Sequence, residues 1–264
     1  MPGEAGAAVV NDPLFLDPRV AELHDLYHPW EQRPELEFYL PLVMAAESVL
    51  DVGCGAGGLL RLAREAGHSG RLCGLDPAEA MLRQARARMD IKWVLGDATA
   101  AGWRREFDLV VMTGHALQVI MEDDEIHATL AAIRSALTET GRFAFETRNP
   151  LVRAWESWTP DDVAEVVDGS GNVVRKWHEI ETVDGDCVYY ATTFVSPGWD
   201  RPLILPGRQR FLNAGSLSSF LSGAGLAIEE QFGDWNRRPL TDESPEIITI
   251  ARRGWPESRK APAV

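Results

Sequence analysis

The sequence predicts an α/β fold: a doubly wound, mostly parallel sheet of seven strands with an antiparallel last strand, plus an antiparallel β insertion after the fifth strand. Three observations carry this expectation. The stretch 49–60 ends an apolar run in Asp51, then places Gly53, Gly55, Gly57 and Gly58 before an apolar helical pattern. Such a run reads as a buried strand, a tight turn and a helix start. Short apolar runs and amphipathic patterns then alternate up to residue 147, as in a parallel sheet covered on both faces. The alternation stops at residue 151, and two β-type runs over 173–183 and 186–196 flank the turn dipeptide Asp184-Gly185.

Taken in order, residues 1–11 read as a disordered N-terminus. Residues 12–47 read as a helical lid, its pattern from Asp17 to Leu40 broken at Pro29 and Pro34. The first strand is 48–52, followed by a helix over 58–67. The second strand, 72–75, ends in Asp76, and Pro77 opens a helix running to about 89. The third strand, 91–95, ends in Gly96-Asp97-Ala98, and the fourth, 107–112, in Thr113-Gly114-His115. A long helix over 123–140 starts with acids and stops at Gly141, as dipole and capping rules require. The fifth strand is 142–147. The β insertion covers 151–205. A helix over 216–224 takes Ser216 as N-cap and Gly225 as its stop. Strands 227–232 and 246–251 close the sheet as an antiparallel pair, because the link between them is short. The sheet domain therefore comprises 48–150 and 206–253, and 254–264 is a loose tail.

The 264 residues suffice for one α/β domain with an insertion, and 45% apolar content supports a sizeable core. A net charge of −14 repels a nucleic-acid backbone, so no nucleic-acid partner is expected. Arg83, Arg86 and Arg88 read as a solvated helix face. The three cysteines lack metal-ligand spacing and leave one unpaired in any disulfide scheme, which points to a reducing, cytoplasmic setting and no metal. The first ten residues do not read as a signal peptide. No apolar run approaches the ~20 residues that span a membrane.

Ligands of open α/β sheets sit at the carboxyl ends of the strands. The glycine turn, Asp76, Asp97 and His115 all fall there. The glycines let a ligand approach the backbone, and the helix start offers free N–H groups. The spacing Gly53-x-Gly55-x-x-Gly58 fits a dinucleotide fingerprint, but Asp51 at the mouth suits a cationic ligand and repels a pyrophosphate. Asp76 can accept from two ribose hydroxyls, and Asp97, followed by small Ala98, from an adenine amino group. Each acid alone reads as a helix cap. Acids at the ends of three consecutive strands, beside a glycine turn, read as an adenosine site.

The Asp-x-Gly-x-Gly-x-Gly pattern over 51–57, with Asp76 and Asp97 downstream, resembles the class I S-adenosylmethionine-dependent methyltransferases. The resemblance covers 48–148 and, with the closing strand pair, extends to about 252. It implies a Rossmann-like fold with S-adenosylmethionine as cofactor and S-adenosylhomocysteine as product. Asp51 and the glycine turn, including Gly53, Gly55 and Gly57, would face the methionine part. Asp76 would face the ribose, and Asp97 with Ala98 the adenine. Cys54, Pro77, Met81, Thr113 and Gly114 are assigned to the same cofactor cradle. Insertions after the fifth strand cover small-molecule substrates in sugar and amine methyltransferases, so a small-molecule acceptor methylated on O or N is implied.

Methyl transfer is an in-line displacement that needs positioning and exclusion of water. An alcohol or ammonium acceptor must also lose a proton. His115 is the expected base, with Glu146 and His28 as further candidates. Tyr27, Trp30, Glu146, Trp155, Trp158 and Trp235 are expected to line the acceptor. Trp155, Trp158, Trp177, Tyr189 and Trp199 are expected to form an aromatic wall over an apolar or cationic acceptor. Alternation on a hairpin sends half of such residues into a core, and an aromatic-rich insertion equally suits a homodimer interface. Two other readings remain open on sequence. An NAD(P)-dependent oxidoreductase shares the glycine turn and ribose acid, and a non-catalytic S-adenosylmethionine-binding protein shares the whole pocket.

Overall fold

The computed structural model describes residues 13–254. The expectations for 1–11 and for the tail beyond 254 lie outside these residues. Helices α1 (Pro13–Leu16), α2 (Pro18–Tyr27) and α3 (Pro34–Met44) precede β1 (Ser48–Val52). Asp17 caps α2 by accepting from Arg19 N–H. The pattern divides into two helices as expected, with Pro34 at the start of α3, where its ring fits the first turn. Then follow α4 (Gly58–Glu65), β2 (Arg71–Asp76), α5 (Glu79–Ala85), β3 (Lys92–Leu95), β4 (Phe107–Met112), α6 (Asp123–Ala136) and β5 (Leu137–Arg148). A second sheet is built from β6 (Ala164–Val167), β7 (Val173–Asp184), β8 (Cys187–Val195) and β9 (Leu203–Arg210). Helix α7 (Ala214–Gly223), β10 (Leu226–Phe232) and β11 (Glu246–Arg253) return to the first sheet.

The first sheet has the order β10-β11-β5-β4-β1-β2-β3. Its neighbours pair in parallel except β11, which runs antiparallel to both β5 and β10. One face is covered by α6 and α7 through Ile126, Leu130, Leu217 and Leu221. The other is covered by α3 and α4 through Leu36, Tyr39, Leu59 and Leu60. Each fully buried Leu contributes about 1.5–3 kcal/mol. Helix α2 stands apart from these layers. Val20 and Leu23 pack on Val174 and Phe194 of the second sheet, while Ala21 packs beside Ala56 and Met81.

Several boundaries differ from expectation. The helix expected over 123–140 ends at Ala136, where Leu137 turns extended (φ −67°, ψ 137°) and begins β5. Gly141 is not a helix stop. It lies inside β5, where a Cβ would come within 2.8 Å of the Phe107 carbonyl of β4. The cap of α7 is Asn213, whose side chain accepts from Ser216 N–H. The 173–183 and 186–196 runs form β7 and β8, hinged at Gly185 (φ +59°). β9 extends the second sheet to Arg210, past residue 205.

Candidate active site

The chain leaves β1 toward β2 and β3 on one side and returns through β4 toward β5 on the other, so a crevice opens at the carboxyl ends of β1 and β4. The turn after β1 needs its glycines. Gly53 has φ +73°, and a Cβ there would lie 2.9 Å from Ala116 Cβ. Asp76 clamps this turn: Gly55 N–H donates to Oδ2 and Ala78 N–H to Oδ1, each at 2.8 Å. A cavity of about 150 Å³ is bordered here by Cys54, Gly55, Asp76, Met81, Thr113 and Gly114. It shares Gly53, Pro77, Ala116 and Val119 with a largely apolar cavity of about 340 Å³ that Asp97, Ala98, Met112 and Ile120 border. Asp97 Oδ1 accepts from the N–H groups of Thr99 and Ala100, holding the loop after β3.

Two assigned residues stand apart from these walls. Gly57 borders neither cavity. Its φ is +78° and a Cβ would meet the Trp93 ring at 2.3 Å, so this glycine serves packing. Asp51 is 1% exposed, and its Oδ1 has no hydrogen-bond partner among the described residues. Burial pushes its carboxyl up to about 7, against the opposing pull of Arg33.

A further cavity of about 210 Å³ lies where α2 meets the second sheet, and it touches the cofactor crevice at Phe15, Gly114 and Val119. Strand alternation decides which side chains border it. On β7 these are Lys176 and His178, not Trp177, and on β8 Tyr190, not Tyr189. Trp158 packs edge-on to Tyr190 at 5.1 Å between ring centres. Tyr27 borders the same cavity and donates its hydroxyl to the Val174 carbonyl at 2.8 Å.

The remaining expected acceptor residues are dispersed. Trp155 packs on Phe211 at 4.4 Å, outside the cavity. Trp199 packs with Val174 and Phe194, under the Arg19 guanidinium. Trp30, in a short 3₁₀ turn (Trp30–Gln32), is 61% exposed and borders none of these cavities. Trp235 borders an adjoining polar cavity and packs on Tyr39.

That polar cavity, about 300 Å³, is bordered by His115, Glu146, Arg148 and Glu246. Strand β5 places Glu146 and Arg148 two residues apart, hence on one face, and β11 sets Glu246 opposite Arg148. His115 follows β4 in the left-handed region, φ +61°. Its N–H donates to Glu146 Oε1 at 3.0 Å, and the Tyr39 hydroxyl donates to Glu146 Oε2 at 2.5 Å. Glu146 is fully buried and engaged by both bonds, so it braces the His115 turn. His115 Nε2 lies 3.0 Å from Glu246 Oε2. Burial lowers the His115 pKa to about 3, with Arg148 adding to the effect, and raises that of Glu246 to about 7. Burial thus favours the neutral imidazole.

Residues 49–141 match a methyltransferase domain family. A 2-phytyl-1,4-naphtoquinone methyltransferase of Thermosynechococcus vestitus is 35% identical over 118 residues, 39% of this chain and 51% of that protein. The chain thus spans about half the length of that relative. An aklanonic acid methyltransferase of Streptomyces sp. is 31% identical over 153 residues, 52% of this chain and 67% of that protein. The chain belongs to the class I S-adenosylmethionine-dependent methyltransferases. The sugar N-methyltransferase of Streptoalloteichus sp. shares the fold of this methyltransferase, with a TM-score of 0.70 at 18% identity over 97% of this chain and 100% of that one.

The family's cofactor is S-adenosylmethionine, and the residues present fit it. The unpartnered, buried Asp51 Oδ1 is an acceptor awaiting a donor such as the amino-acid ammonium. Arg33 borders both the smaller cofactor cavity and the polar cavity, where its cation would meet the amino-acid carboxylate. Asp76 stands where ribose hydroxyls would be bound, and the apolar cavity beside Asp97 and Ala98 suits a planar base.

Sequence reasoning missed Arg33, Arg148, Lys176, His178, Tyr190 and Glu246. Parity along β7 would have signalled His178 with Lys176, since the two share a face. Glu246 carried no local signal, because it reaches His115 only through the antiparallel return of β11 beside β5.

Proposed function

We propose that this methyltransferase moves a methyl group from S-adenosylmethionine to an oxygen or nitrogen of a small-molecule acceptor held between α2 and the second sheet. The observation that carries this reading is the junction at Gly114. That residue borders the smaller cofactor cavity, the α2 cavity and the polar cavity around His115. Relatives named for a naphtoquinone, for aklanonic acid and for a sugar support a small acceptor.

The bound cofactor supplies an electrophilic methyl group. The chain's own part is to bind, orient and exclude water. Asp51 and Arg33 fix the amino-acid end, Asp76 the ribose, and the cavity beside Asp97 the base. Helix α2, tied to β7 by the Tyr27 hydroxyl, covers the acceptor side. His115 accepts the acceptor's hydrogen bond in its neutral form. Where a proton must leave, it passes through the imidazole to Glu246, whose pKa of about 7 matches physiological pH better than the imidazole's.

A thermal-shift titration with S-adenosylhomocysteine, S-adenosylmethionine, NAD and NADP tests the cofactor side. Stabilisation by the two adenosyl compounds, lost in Asp76→Ala, is expected. Stabilisation by NAD alone would overturn the reading in favour of an oxidoreductase. Once an acceptor is in hand, unchanged kcat in both His115→Ala and His115→Gln would remove the proton-transfer role.

A further inference from the structure

The α2 cavity departs from the rest of this acidic chain. The protein carries 40 Asp and Glu against 26 Lys and Arg, yet among the described residues no Asp or Glu borders this cavity. Four of its six histidines do, together with Arg148 and Lys176. Neither cation is ion-paired among the described residues. Arg148 donates to the neutral Gln209 Oε1 at 2.9 Å and lies 5.5 Å from the Trp158 ring centre. The Lys176 ammonium sits 4.5 Å over the Tyr27 ring. Asp162 acts on Lys176, and Glu246 and Glu146 on Arg148, only at longer range.

Burying cations without a partner is unfavourable, and a ligand that supplies the missing charge removes the cost. The imidazoles do not supply it. His28, His115 and His178 are held neutral chiefly by burial, at about 3, 3 and 4, and the fields of Lys176 and Arg148 push the same way. A cationic acceptor would meet two like charges and, among the described residues, no carboxylate bordering the cavity. The walls between the cations are aromatic: Trp158, Tyr27 and Phe194 border the space. Flat rings pack well against such walls.

We propose that the acceptor is an aromatic acid, whose ring packs against Trp158 and Phe194 and whose carboxylate is bound by Arg148 and Lys176. This assignment rests on the methyltransferase reading above and adds the substrate class. Of the apolar or cationic acceptor expected from sequence, it keeps the apolar ring and replaces the cation by an anion, and it makes Arg148 and Lys176 specificity-determining residues.

The test uses the full chain saturated with S-adenosylhomocysteine, titrated calorimetrically with three probes of one shape: 2-naphthoate, neutral 2-naphthamide and cationic 2-naphthylmethylamine. Naphthoate is expected to bind at least tenfold tighter than the amide, and the ammonium to bind weakest. In Lys176→Met the naphthoate advantage should fall about tenfold, with S-adenosylhomocysteine affinity unchanged. Arg148→Gln should act likewise, and Lys176→Met, on the half-buried β7, keeps the test valid should Arg148→Gln fail to fold. Naphthoate binding no tighter than the amide, an ammonium that binds best, or no probe binding at all would overturn the proposal. Failure of S-adenosylhomocysteine to bind wild type would instead overturn the methyltransferase reading.

Discussion

The cofactor crevice and the α2 cavity meet at Gly114 and are electrostatic opposites. The crevice is bordered by Asp76, Asp97, Asp124 and Glu125, with Arg33 as a cation at the amino-acid end and buried Asp51 close by in sequence. Among the described residues the α2 cavity has no bordering acid and carries two cations without an ion pair, Arg148 and Lys176. The first suits a ligand with an ammonium, a sulfonium and ribose hydroxyls. The second suits an anion. The difference teaches that ligand identity is written in the charge lining each cavity, while the sheet supplies only the meeting place.

The strongest way to break this comparison is Asp51→Asn. Loss of one charge-assisted contact, worth about 1.5–3 kcal/mol, should weaken S-adenosylhomocysteine by roughly ten- to a hundredfold in a calorimetric titration. Stability should move the other way. The folded Asp51 pKa of about 7 lies above its ordinary value of 3.8, so the wild type loses stability as pH rises through that window. At pH 8 the ligand-free variant lacks that cost and should melt several degrees higher. Equal affinity in the two proteins would remove Asp51 from the site.

Next in size is the contrast between two tryptophans. Trp155→Ala and Trp158→Ala should each cost about 2 kcal/mol in urea unfolding, since both pack on Phe211 or Tyr190. Only Trp158→Ala should weaken binding of the naphthoate probe. A smaller, pH-dependent effect belongs to His115. The unfolded imidazole takes up its proton near 6.5 and the folded one near 3, so falling pH destabilises the wild type within that window. His115→Gln should therefore gain on wild type by up to about 1.4 kcal/mol per pH unit between those values. A flat difference curve would show the imidazole already charged in the fold. Tyr39→Phe should cost about 1 kcal/mol through its lost bond to Glu146. Trp30→Ala, on an exposed turn, should stay within about 0.5 kcal/mol and leave both ligands unaffected.

The cofactor side was legible in the sequence because its signals are local. Glycines that need positive φ lie beside the strand they follow, and Asp76 and Asp97 end strands whose apolar runs are visible. The α2 cavity was legible only in part: Tyr27, Trp158 and His115 were expected at the acceptor and border it, but the rest is assembled from β7, β8 and the end of β5. Tryptophans are conspicuous in a sequence, yet parity on β7 turns Trp177 away and brings Lys176 and His178 to the cavity. The end of α6 was misread for a related reason. Acids and a glycine mimic a long helix, but Leu137 is drawn into pairing with Phe107 of β4.

His115 keeps a backbone conformation that a side chain makes unfavourable, φ +61° directly after Gly114 at φ +69°. A residue with a Cβ costs roughly 1 kcal/mol or more there, and glycine or asparagine would relieve it. Mutational drift at an idle position runs downhill in energy. If the imidazole serves the proposed proton transfer, a descendant of this chain that no longer needed it would shed this backbone strain by losing it, so Gly or Asn at 115 is the mark to look for in a relative without that transfer.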